Sequence, residues 1–218
     1  MTPLRPFAAL LCALLLSAPA AAEEPPSWNP QDTFVFVASV IEWPGNGLAT
    51  FKDPRRDEAL VAQLKACGVP PANVVFLMDK EATRDAMRRE LRALAARAGA
   101  GSTFLFYFQG HGLSRKEKTW LACYDVDLKD FSTAFDVDEL FPVFDKEWKG
   151  SRLLLVGDCC HSGALNRVVE RFESKSSVRA ACLASATASN ASTAHWTFTE
   201  ALISARAGDG AVDRDRDG

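Results

Sequence analysis

Phe104-Leu105-Phe106-Tyr107-Phe108-Gln109-Gly110-His111-Gly112 runs a block of apolar and aromatic residues into a histidine held between two glycines. Such a block, with no polar alternation, is what a strand buried on both faces of a parallel sheet requires. A second segment has the same form: Leu153-Leu154-Leu155-Val156 runs into Gly157-Asp158-Cys159-Cys160-His161-Ser162-Gly163. Upstream, Phe34 to Ile41 is almost continuously apolar, and Val74 to Met78 and Ala180 to Ala184 are shorter candidates.

Helical patterns fall between these runs. Asp53-Pro54 can serve as N-cap and first helical residue for a stripe of Leu60, Leu64 and Cys67, which Gly68 closes. Met87, Leu91, Leu94, Ala95 and Ala98 form a second stripe, stopped by Gly99. Further helices are expected from about Asp138 to Asp145 and from about Thr197 to Ala207, with a polar stretch from Glu170 to Ser177 that contains Arg171 and Lys175. Strands alternating with helices predict an α/β fold, an open and mostly parallel sheet with helices on both faces.

The 218 residues carry 25 Lys and Arg against 28 Asp and Glu. That number of residues suits one domain, predicted over residues 33–207, and the mildly acidic, intermixed charge gives no footprint for nucleic acid or an anionic membrane surface. Arg5, the apolar run Phe7 to Leu16 and the small residues Ala18 to Ala22 read as a secretory signal peptide over residues 1–22, followed by a solvated linker over 23–32. The run is too short for a membrane span, so an exported chain without a membrane anchor, periplasmic or extracellular, is expected after leader removal. Five cysteines remain beyond the leader: Cys67, Cys123, Cys159, Cys160 and Cys182. An odd number leaves at least one thiol outside intramolecular pairing.

In an open α/β sheet, function gathers beyond the carboxyl ends of the strands. If the strands ending at 108 and 156 are parallel neighbours, their turns share one edge. An imidazole and a thiol distant in sequence then become adjacent, as nucleophilic cysteine catalysis needs.

A Gly-His-Gly turn after one apolar strand and Asp-x-Cys-His-Ser-Gly after another together resemble the metacaspase and orthocaspase branch of the caspase-like cysteine peptidases. The offset from residue 111 to residue 160 is 49 positions, against roughly 50 in caspases. The likeness extends from Phe34 to about Ala207, through Arg56-Asp57 at the first helix and Trp196-Thr197-Phe198-Thr199 at the last. It implies Cys160 as nucleophile, His111 as its acid–base partner, and the backbone N–H groups of Gly112 and Cys160 as oxyanion donors. It also implies that Asp57 and Asp158 line the primary specificity pocket. Carboxylates there favour a substrate guanidinium or ammonium, hence a peptide or protein cut after Arg or Lys. Three positions depart from the pattern: Arg56 stands in place of Asn, Gln109 in place of Ser, and Cys159 in place of Ser.

Other readings attach to the same residues. A secreted pseudoenzyme of the same fold would bind peptides without cutting them. Cys159-Cys160-His161 with His111 or His195 could be read as a zinc site, but consecutive side chains diverge and no Cys-x-x-Cys occurs. No metal is expected at the reacting centre. Asp213, Asp215 and Asp217, followed by Gly218, open like a calcium loop without its later ligands. The same stretch, 208–218, reads as an acidic tail. Calcium activation is a family trait that the resemblance implies.

Overall fold

The computed structural model describes residues 28–45, 47–173, 178–192 and 195–206. A five-stranded parallel sheet is built from β1 (Thr33–Ser39), β2 (Val74–Met78), β3 (Thr103–Gln109), β7 (Arg152–Asp158) and β8 (Arg179–Ala184), in the order β2-β1-β3-β7-β8. The two strands whose turns carry the histidine and the cysteines are therefore direct neighbours, with Phe108 opposite Gly157 and Gln109 opposite Asp158.

Side-chain alternation sorts the strands onto two helical layers. Phe34, Phe36, Ala38, Phe104, Phe106, Phe108, Leu153 and Leu155 meet α2 (Arg84–Arg97), α3 (Leu140–Glu147) and α4 (Asn166–Glu173) on one face. Val35, Val37, Tyr107 and Val156 meet α1 (Asp57–Ala66) and α5 (Thr197–Arg206) on the other. Phe36, Phe104, Phe106 and Phe108 are wholly inaccessible, each worth about 1.5–3 kcal/mol relative to an exposed ring. The edge strands β2 and β8 are only partly covered; β1 is buried throughout, and β3 and β7 are buried over their carboxyl-terminal halves.

Several boundaries differ from expectation for identifiable reasons. The first helix begins at Asp57 rather than at Asp53-Pro54, and Arg55, just upstream, is pinned by Asp57 and Asp79. Asp138 lies in a 3₁₀ turn, Val137–Glu139, capped by the Asp136 carboxylate, and α3 proper starts at Leu140. The polar stretch from Glu170 belongs in part to α4: Val168, Val169 and Phe172 form its buried stripe, and Arg171 lies over the Phe141 ring at 3.7 Å. Pro30–Asp32 forms a 3₁₀ turn tied to the first helix by Gln31 Nε2 donating to Gly68 O.

A small antiparallel sheet, β4 (Gly112–Arg115), β5 (Lys118–Leu121) and β6 (Phe135–Asp136), has no counterpart in the sequence reading. Its hairpin turn places Lys116 and Glu117 at φ of 50° and 64°, a conformation whose usual residues are Gly and Asn. No helix among the described residues is long and apolar enough to cross a membrane.

Candidate active site

The carboxyl ends of β1, β3 and β7 place Ser39, Gln109 and Asp158 in one register row. Beyond Gln109 the chain bends through Gly110, whose φ of 151° and closeness to Val40 O leave no room for a Cβ. Gly110 N–H donates to Asp158 O at 3.3 Å, tying the histidine turn to the cysteine turn. Gly112 lies so close to Cys160 that a Cβ built on it would overlap the Cys160 carbonyl. The two glycines flanking His111 thus let two backbones approach as side chains would forbid.

His111 is oriented on three sides. Its Nε2 is 2.8 Å from Ala49 O, and a carbonyl only accepts, so Nε2 carries the proton and Nδ1 of the neutral ring carries the lone pair. Trp43 and Phe51 pack on the ring, each with centroids 4.8 Å away. A cleft of about 60 Å³ joins His111 to Cys160, with Phe51, Gly110, Asp158 and Ser192 among its walls. A roomier cavity of about 510 Å³, against β8 and Cys182, contains neither His111 nor Cys160. His111 and Cys160 both line the small cleft.

The two adjacent thiols have different surroundings. Cys160 is partly exposed to the cleft, and Ser192 N–H donates to its sulfur at 3.3 Å. Cys159 is 1% exposed, and burial pushes its thiol well above the ordinary range, with the Asp158 charge adding to the effect. A buried neutral thiol is inert toward substrate. After Cys160 the chain passes through His161 in the left-handed region, φ 59°. His161 Nδ1 contacts Ala188 O at 3.0 Å, and Ser162 exchanges hydrogen bonds with Ala186. All five described cysteines are free.

Asp158 closes the cleft floor at 5% exposure. Thr199 Oγ1 donates to its Oδ2 at 2.6 Å, which leaves Tyr107 O–H to donate to Thr199, also at 2.6 Å. Burial raises the Asp158 carboxyl above its ordinary value, and the hydrogen bonds from Thr199 and Ser185 only partly offset this. Asp57 does not line the cleft. It is fully buried at the start of α1, where Arg55 grips both its oxygens from Nε and Nη2.

Several contributors were not read from the sequence. Ala49, Phe51 and Trp43 act through one backbone oxygen and two ring faces, which no motif announces. His195 lines the cleft and pairs with Asp53 at 2.7 Å, and Thr199 reaches Asp158 from α5. Among the described residues no group of three or more His, Cys, Asp or Glu could hold a metal ion. Asp213, Asp215 and Asp217 lie outside the described residues.

Residues 57–211 match the caspase domain family model, Peptidase_C14. The chain belongs to the caspase-domain family, a family of cysteine peptidases. No curated protein matches it significantly. A crystal structure of a Geobacter sulfurreducens protein solved by structural genomics is similar at a TM-score of 0.49 and 17% identity. The alignment covers 81% of this chain and 82% of that one.

Proposed function

We propose that the chain is an exported cysteine endopeptidase of the metacaspase or orthocaspase kind, in which Cys160 attacks the peptide carbonyl and His111 moves the protons. The observation that carries the reading is the His111 ring, with Nε2 committed to Ala49 O and Nδ1 left as the basic nitrogen in a cleft shared with the Cys160 sulfur. A ring held by a carbonyl and two aromatic faces needs little reorganisation to accept or return a proton.

The Cys160 thiol proton passes to His111 Nδ1, and the sulfur forms a bond to the carbonyl carbon. The C=O electron pair moves to oxygen, where the Gly112 and Cys160 N–H groups are the proposed donors. Collapse breaks the C–N bond, with His111 protonating the departing amine, and leaves a thioester on Cys160. Water, losing a proton to His111, then releases the carboxylate product and regenerates the thiol.

Asp158 supports a preference for Arg or Lys before the scissile bond. It is a carboxylate at the cleft floor, held by Thr199 and able to accept from a substrate cation. The proposed steps use two side chains, two backbone N–H groups and water; calcium enters as a proposed activator through the acids beyond residue 212. Export rests on the leader-like residues 1–22.

The test is hydrolysis of a fluorogenic peptide ending in Arg. It should vanish in Cys160→Ala and persist in Cys159→Ala. Loss confined to the Cys159 variant would overturn the assignment.

A further inference from the structure

A cation lies behind the cleft, linked to its Gln109 wall through Ser39. Arg55 lies directly before α1, and its guanidinium binds Asp57 through Nε and Nη2 and Asp79 through Nη1. Asp57 is inaccessible, whereas the side chain of Arg55, which binds it, is 20% exposed. The same guanidinium reaches Ser39 Oγ at 3.4 Å, and Ser39 Oγ donates to Gln109 Oε1 at 3.0 Å. Gln109 stands between Ser39 and Asp158 in the register row and lines the cleft. A chain of polar contacts therefore runs Asp57, Arg55, Ser39, Gln109, with Asp158 next to Gln109 in the register row. The carboxylate at one end is paired with a guanidinium, and the one at the other end is held by the Thr199 hydroxyl.

Asp79 does not depend on Arg55 for partners, since its Oδ1 also accepts from the Ile41 and Glu42 N–H groups. Asp57 otherwise accepts the local N–H of Glu58, so Arg55 is its charged partner.

We propose that Arg55 determines specificity as an internal competitor: it occupies the Asp57 carboxylate, and a substrate Arg or Lys gains that second acid only by displacing it. This rests on the proposed preference for basic residues. Arg55 touches neither reacting atom, so its influence should fall on discrimination at the residue before the scissile bond, chiefly through KM.

The experiment compares peptides differing only at that residue, Arg or its neutral isostere citrulline, with wild type, Arg55→Gln and Arg55→Gln/Asp57→Asn. Arg55→Gln should raise the Arg-to-citrulline ratio of kcat/KM by about tenfold, the factor one charge-assisted hydrogen bond supplies, and Asp57→Asn should cancel the gain. Should Arg55→Gln fail to fold, Arg55→Lys keeps the charge without the fork and should show a smaller rise. An unchanged ratio in a folded Arg55 variant of an active wild type overturns this inference alone. A wild type that cleaves no peptide overturns the peptidase reading, and this inference with it.

Discussion

Gly112 and Cys160 meet backbone to backbone, with the Cα of one set against the carbonyl of the other and no space for a methyl group between them. The contact locks the turn after β3 to the turn after β7, and so sets His111 relative to the sulfur. Gly112→Ala should push the cysteine turn away, at about 1–3 kcal/mol for overpacking. Peptide turnover should fall at least tenfold while Tm drops only a few degrees. Differential scanning fluorimetry alongside the turnover assay checks both, and full turnover in the variant would show that the turns adjust freely.

Phe51 presents its ring to His111 but is only partly buried, so its removal should affect orientation more than stability. Phe51→Ala is expected to lower kcat about tenfold, within the range that misplacing a catalytic group produces. Tm should change little. Phe51→Tyr, which keeps the ring, should restore the rate.

Asp158 makes stability and function pull apart. Its folded-state pKa lies above its unfolded value, so the folded chain holds this proton more tightly. The resulting contribution is fully present below the ordinary carboxylate range and is lost as pH rises through the raised value. Asp158→Asn keeps an acceptor for Thr199 and removes the titration. The variant's Tm should match that of wild type in acid, overtake it as pH climbs, and hold a constant lead once the wild-type group is ionised. Hydrolysis after Arg should weaken about tenfold in the same variant through loss of a charged hydrogen bond. Thermal melts across pH test the first expectation, and kcat/KM tests the second.

The parts of the fold legible in the sequence were those written as uninterrupted patterns. Phe104 to Phe108 and Leu153 to Val156 are apolar without relief because both faces of β3 and β7 are covered, and their turns share one edge because the strands are parallel neighbours. Helix α4 was hidden because Arg167, Glu170, Arg171 and Glu173 outnumber the three residues that it buries. The β4–β5 hairpin was hidden because its turn uses Lys116 and Glu117 at positive φ. At the site, His111, Gly112, Asp158 and Cys160 stand in motifs, whereas Ala49 acts through a carbonyl that every residue has. Asp57 shows the limit of carrying a motif over by position. Arg55, two residues earlier, decides what that carboxylate faces, and only the folded chain reveals it.

Covalent capture of the nucleophile reaches the centre of the account. A peptidyl-Arg chloromethyl ketone, followed by peptide mass mapping, should leave one adduct on Cys160 and none on Cys159. His111→Ala should slow its formation about 10² to 10⁴-fold, the range of a positioned acid–base group. An adduct on Cys159, or equal labelling rates with and without the imidazole, would contradict the pairing of these two turns.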